Sequence, residues 1–256
     1  MSTYQEFVKL HQEGAPLIIG NVWDVPSARM FEKHGFKALG TSSAAIAQML
    51  GYEDGEEMTF PELKYIVERL IDNISVPLSV DIEGGYSREP SEIIHHITQL
   101  AKLGVAGINI EDSIVVNRDR GLSDTGDFAD IISTIKEDLA ENSIDMFLNI
   151  RTDPFLVGVN QPLEETLGRI STFKDSGADG IFIPCIIDEG DIQAVVAATS
   201  LPVNVMCMPG LPDFKTLRKL GVRRISMGNF IHGSIAPYLE QTIARVEDDQ
   251  SFERLF

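Results

Sequence analysis

Short apolar runs of strand length recur along the chain: LIIGNVW, FKALGTSS, PLSVDIE, AGINIED, MFLNIRT, GIFIPCI, PVNVMC and RRISMG. Between them lie polar windows with a helical period, at 27–34, 60–73, 91–103, 128–141, 163–176, 189–199, 214–220 and 235–245. Several of these windows close on a glycine just before the next strand, in HGFKALG, LGVAGINI, SGADGIFI and LGVRRISM. That is the punctuation of a left-handed helix cap feeding a parallel sheet. Eight alternating strand and helix units predict an α/β fold, a (β/α)8 TIM-type barrel spanning residues 1–256 as one domain. An open doubly wound sheet uses the same units. The first strand, however, lacks a glycine-rich phosphate fingerprint after it, and polar residues stand at nearly every strand end, which favours closure. Two long irregular stretches, 50–59 and 113–127, are expected over the barrel mouth.

The 256 residues match the roughly 250 of such a barrel. With 43% hydrophobic and 23% charged residues, the chain buries a sizeable core without disulfides. A formal net charge of −18, spread along the length, disfavours nucleic acid and anionic membrane surfaces as partners. The N-terminal stretch is amphipathic without an apolar signal core, and no apolar run reaches the roughly 20 residues that span a bilayer. A soluble cytoplasmic protein is expected. Cys185 and Cys207 lie in apolar runs and are expected to be buried, reduced thiols.

In a β/α barrel the chemistry sits at the C-terminal strand ends. The third strand ends in Asp81-Ile82-Glu83, and a period of two puts both carboxylates on the inward face. The fourth brings Asn109 and Glu111 inward beside them, and Asp54 sits on the loop over the second strand. Four acids with no His or Cys donor point to Mg²⁺, or Mn²⁺, with Asp81 as the direct ligand. The competing reading is strand-capping acids paired with Lys or Arg. The fifth strand turns Asn149, Arg151 and Asp153 inward. Arg151 either clamps a carboxylate or developing oxyanion or is a structural partner of Glu111 or Asp153. Ser42, Ser43 and Ala44 follow the second strand, where backbone N–H groups and hydroxyls suit an anion. Asn21 and Trp23 on the first strand, with Asn204 and Met206 on the seventh, are candidate pocket walls, Met206 rather for packing. The five histidines share no metal-ligand spacing.

Taken in order, GTSSAAIAQMLGYEDGE, LSVDIEGGY, GVAGINIED, NIRTD and LPVNVM resemble the isocitrate lyase/phosphoenolpyruvate mutase superfamily over nearly the whole chain. The resemblance implies a β/α barrel with its eighth helix swapped between protomers of a homodimer or homotetramer, and Mg²⁺ on a 2-oxo acid or its enolate. By matching position it implies Asp81 on the metal and Glu83, Glu111 and Asp54 on its waters. Arg151 would contact substrate, and Ser42, Ser43 and Ala44 would hold its carboxylate. The chain departs from the lyase branch after the fourth strand, where a Lys-Lys-Cys-Gly-His type segment is replaced by Ser113-Ile-Val-Val-Asn-Arg-Asp-Arg-Gly-Leu-Ser-Asp-Thr. The mutase branch's Lys-Asn-Ser pattern is absent too, although Asn117, Arg118 and Arg120 offer polar contacts.

Three functions follow from this. The leading one is cleavage of a carbon–carbon bond beside a small 2-oxo or 2-hydroxy carboxylate through an enolate, with Glu111 and Arg151 in the catalytic set. The second is phosphorus–carbon chemistry on a phosphonate. The third, of a different class, is a binding protein that keeps the 2-oxo acid site and turns over nothing.

Overall fold

The structure, a computed structural model, describes residues 2–12 and 14–256. In chain order its strands are β1 (Leu17–Val22), β2 (Leu39–Thr41), β3 (Leu78–Asp81), β4 (Gly107–Glu111), β5 (Ser113–Val116), β6 (Asp119–Leu122), β7 (Phe147–Arg151), β8 (Gly180–Ile183), β9 (Val203–Met206) and β10 (Arg224–Ser226). The helices are α1 (Thr3–Gln12), α2 (Val25–Lys33), α3 (Ser43–Leu50), α4 (Phe60–Ile71), α5 (Pro90–Leu103), α6 (Thr125–Glu141), α7 (Pro154–Val157), α8 (Pro162–Asp175), α9 (Glu189–Ala198), α10 (Phe214–Leu220) and α11 (Phe230–Asp249). Eight strands close into a barrel in the order β1-β10-β9-β8-β7-β4-β3-β2. Each neighbouring pair is parallel. All eight strands expected from the apolar runs are present.

Alternation along the strands sorts the two faces. Val80, Ile108, Ile110, Leu148, Ile150, Ile181, Val203 and Val205 are fully buried or nearly so in the layer between sheet and helices. Each such side chain contributes about 1.5–3 kcal/mol of burial free energy. The intervening positions, Ser79, Asp81, Asn109, Glu111, Asn149 and Asn204, are buried and polar and fill the barrel interior. Helix starts follow local capping chemistry. Asp24 accepts from Ser27 N at 2.7 Å and Ser27 Oγ accepts from Asp24 N at 3.2 Å, a reciprocal box that opens α2.

The bottom of the barrel is floored by α1, a helix where only a polar amphipathic segment was expected. Phe7 meets Phe147 edge to face at 5.6 Å, and the His11 ring stacks on Phe147 at 4.5 Å. Gly107 permits this approach, because a Cβ there would lie 2.9 Å from the Phe7 ring.

Two further differences concern the mouth. The stretch at 113–127, expected to be irregular, forms the antiparallel hairpin β5–β6 followed by the start of α6. Four-residue strands with a tip at Asn117 and Arg118, both at positive φ, are too short to announce themselves by pattern. The small residues after β2 begin α3, capped by Ser42, whose Oγ accepts from Ala45 N at 3.3 Å. The cysteines also differ from expectation. Both are free, but Cys185 is half-buried and Cys207 exposed, because it follows the last residue of β9 and enters a loop rather than continuing the apolar strand. Among the described residues no helix is long and apolar enough to cross a membrane.

Candidate active site

A cavity of about 240 Å³ opens at the C-terminal strand ends. Its walls include Asn21, Ser42, Ser43, Ala44, Asp54, Asp81, Asn109, Arg120, Arg151, Phe182 and Met206. A larger groove, about 680 Å³, runs past Leu17, Phe36 and Phe214, but among the described residues its only ionisable wall residues are His34 and Lys37. The chemistry therefore belongs to the smaller cavity.

Asp81 ends β3 and is held on three sides. Its N–H donates to Thr41 Oγ1 at 2.8 Å, Ser43 Oγ donates to its Oδ2 at 3.1 Å, and Glu83 N donates to its Oδ1 at 3.1 Å. Burial pushes its carboxyl above the usual range, opposed by the nearby Arg151 guanidinium.

Glu83 does not share Asp81's wall. The strand stops at Asp81, and Glu83 takes φ +50°, so the period of two no longer applies. Its carboxylate turns to accept from Glu56 N at 2.6 Å and from the Tyr86 hydroxyl at 3.1 Å. Burial first, then the charges of Asp54, Asp81 and Glu111, push Glu83 up to about 8.

Glu111 faces Arg151 across the β4–β7 register. Arg151 Nη1 reaches Glu111 Oε2 at 2.7 Å, while its Nε and Nη2 clasp Asp153 at 2.7 and 3.0 Å. Burial raises the Glu111 carboxyl and Arg151 pulls it back. Arg151 thus has both expected structural partners and still lines the cavity.

The hairpin contributes Arg120, which the spacing marked only as a source of polar contacts. It pairs with Glu111, donates to Ser113 Oγ at 2.8 Å and reaches Asp54 Oδ2 at 3.4 Å. Ser113 Oγ in turn donates to Asp153 Oδ2 at 2.5 Å. Beneath this layer Asp112 is fully buried and accepts from Thr152 Oγ1 at 2.6 Å, Asp153 N at 2.9 Å and Arg169 Nη1 at 3.0 Å. It braces the strand ends and lies outside the cavity wall.

Among the described residues no three His, Cys, Asp or Glu side chains form a ready-made metal cage. The four expected acids are neighbours, but Glu83 is turned to Tyr86 and Glu111 is held by two guanidiniums. A Mg²⁺ bound through one carboxylate and its own waters needs no such cage. The all-oxygen donor set and the cavity-facing Asp81 and Asp54, with the buried Glu83 carboxyl close to them, fit a hard cation.

Of the other expected site residues, Ser42, Ser43 and Ala44 line the cavity at the start of α3, where N–H groups are unpaired by the helix. Met206 lines it too. Trp23 is buried against the His232 ring at 4.8 Å and is not part of the wall. Asn204 is fully buried one layer lower, level with Arg224 at the start of β10. Period two gave both seventh-strand residues the right face, but barrel interiors are stacked in layers and only the upper one meets the cavity.

The family described as phosphoenolpyruvate phosphomutase matches residues 7–247. An uncharacterised protein of Mycobacterium tuberculosis is 34% identical over 87% of this chain and 81% of its own length. An oxaloacetate decarboxylase of a Bradyrhizobium species is 27% identical over 85% of this chain and 74% of its own. A crystal structure from Burkholderia cenocepacia, described as a candidate phosphonomutase, superposes with a TM-score of 0.88 at 33% identity, over 94% of this chain and 99% of that one.

Proposed function

The chain belongs to the phosphoenolpyruvate mutase/isocitrate lyase superfamily, and from that premise we propose a Mg²⁺-dependent enzyme that cleaves a carbon–carbon bond beside a small 2-oxo or 2-hydroxy carboxylate. The observation that carries the proposal is the charge balance at the mouth. Arg120 and Arg151 pair with Asp54, Glu111 and Asp153, while Asp81 and Glu83 stand in the same acidic cluster without an ion pair of their own among the described residues, so the site has room in charge for a divalent cation and an acid anion together.

In this reading Asp81 holds the metal directly, and Asp54, Glu83 and Glu111 hold its waters. When bound, Mg²⁺ would polarise the oxygens of the 2-oxo acid. The start of α3, with Ser42, Ser43 and Ala44, receives the substrate carboxylate. Arg151, fixed by Glu111 and Asp153, is aimed at the negative charge that develops when the bond breaks. The hairpin covers the mouth with Arg120 and carries no Cys, Lys or His, so proton transfer uses a group other than the lyase-branch Cys.

Phosphorus–carbon chemistry is the second reading, favoured by the matched family's description and by the Burkholderia relative. Conversion of a phosphonate substrate to a phosphate ester, or to inorganic phosphate, would decide for it. The oligomeric reading rests on α11, which has no buried residue and an exposed apolar row. We expect a homodimer or homotetramer with this helix packed on a neighbour.

Oxalate mimics a planar enolate, so its calorimetric binding with and without Mg²⁺ tests the site. Binding only with Mg²⁺, and lost in Asp81→Asn, is the expected result. No binding under either condition would overturn the proposal.

A further inference from the structure

Asn109 lines the cavity beside Asp81, its register partner on β3, and its neighbours dictate which end of its amide faces out. Below the mouth a chain of side chains crosses the barrel interior. Asn204 Nδ2 donates to the Val205 carbonyl at 2.7 Å and to Ser226 Oγ at 3.2 Å. A carbonyl only accepts, so Asn204 presents its Oδ1 at the other end, where Asn149 Nδ2 donates to it at 3.2 Å. The same Asn149 Nδ2 donates to Asn109 Oδ1 at 2.9 Å. From the other side Arg224, which has donors and no acceptor, reaches Asn109 Oδ1 with Nη2 at 3.3 Å.

Two constraints of independent origin therefore agree. A backbone acceptor orders the chain from one end and a donor-only guanidinium from the other, and both require Asn109 to turn its oxygen inward. Reversing the amide would set N–H against N–H at both contacts, in a layer where an unmade hydrogen bond is costly. The Nδ2 end is left to the cavity. Arg224 is 1% exposed, and among the described residues its Nε and Nη1 have no hydrogen-bond partner. The Phe7 ring, 5.8 Å from its guanidinium, offsets only part of the cost of burying it. Fixing Asn109 gives this otherwise unfavourable cation a role.

We propose that Asn109 is a ligand-contacting residue whose Nδ2 donates to a carboxylate or enolate-type oxygen in the cavity, and that Asn149 and Arg224 are its positioning residues. The inference rests on the 2-oxo acid reading of the cavity. It adds a neutral donor, on the strand next to the charged clamp of Arg151, that faces an acceptor oxygen. Because Asn109 offers only N–H groups there, the group it meets must accept.

The test is calorimetry on the full chain, titrating Mn²⁺ alone and then oxalate at saturating Mn²⁺. For Asn109→Ala the oxalate Kd is expected to rise about tenfold or more, the scale of one hydrogen bond to a charged acceptor. Its Mn²⁺ Kd should stay within about twofold. Arg224→Met should weaken oxalate in the same direction without weakening Mn²⁺, and Arg224→Lys, which keeps a donor, should recover part of the loss. A thermal melt checks that each variant folds. Oxalate affinity of Asn109→Ala within twofold of the parent would overturn the inference and leave the cavity reading intact. Equal weakening of Mn²⁺ and oxalate would overturn it too, since Asn109 would then act through the metal. A parent protein that binds no oxalate with Mn²⁺ would remove the cavity reading and this inference together.

Discussion

Arg151 and Glu111 stand opposite each other in the β4–β7 register, and the guanidinium closes on Glu111 Oε2 at 2.7 Å while its other edge holds Asp153. One side chain thus neutralises two buried acids at the cavity wall. Arg151→Met leaves Arg120 as the remaining guanidinium beside both carboxylates and is expected to lower unfolding free energy by roughly 3 kcal/mol, measured by urea denaturation. Arg151→Lys keeps the charge and loses the planar fork. It should recover most of the stability and little of the Mg²⁺-dependent oxalate binding. Full binding by the Lys variant would show that Arg151 is a structural partner alone.

Arg120 ties the hairpin to the mouth through Glu111, Asp54 and Ser113. Removing that tie in Arg120→Gln should loosen β5–β6 without touching the barrel core. Trypsin cleavage after Arg118, at the exposed tip, is expected to accelerate several-fold at unchanged melting temperature, read by mass spectrometry. Unchanged cleavage would mean that backbone pairing of the two strands holds the hairpin unaided.

What was legible in the sequence follows from range of interaction. Asp81, Asn109, Glu111 and Arg151 lie inside strands, where a period of two is enforced by the pleat, and their faces could be read from spacing. Glu83 lies two residues past the last paired residue of its strand, where a positive φ breaks the pleat, so the same rule does not account for where its carboxylate goes. Asn204 had the correct face but the wrong height, since depth in a barrel depends on strand stagger rather than local pattern. Arg120 had no local signal. Its place at the wall is created by a hairpin that carries it back across the fourth strand's end. The orientation of the Asn109 amide is likewise set by residues 40 and 115 positions away.

The floor of the barrel predicts an acid-sensitive stability. His11 is buried against Phe147, with its Nδ1 2.8 Å from the Phe7 carbonyl oxygen. Burial first, then the Arg224 charge, hold its pKa down to about 3, against the usual 6.5 of a free imidazole. The folded state therefore keeps His11 neutral while the unfolded chain protonates it. Stability from this group is complete above pH 6.5 and falls as the pH drops toward 3, by up to about 1.4 kcal/mol per pH unit. Glu83, held up to about 8, gains stability in the opposite sense over this window, so the His11 part is read by difference: the urea midpoint of the parent relative to that of His11→Leu should fall between pH 7.5 and 5. Parallel profiles for the two proteins would exclude His11 as the source.

The C-terminal helix predicts an assembly. Ile231, Ile235, Tyr238, Leu239 and Ile243 recur along α11 at helical spacing, and all are exposed. A stripe of this kind on a 20-residue helix with no buried residue stays in water in the single chain. Packing it against a second copy would bury several side chains, each contributing about 1.5–3 kcal/mol. Light scattering should give a mass two or four times that of the chain, and the pair Tyr238→Glu with Leu239→Glu should shift it to the monomer, with the barrel's near-UV signal retained. A monomeric parent at micromolar concentration would remove the stripe's proposed partner and, with it, the homo-oligomer.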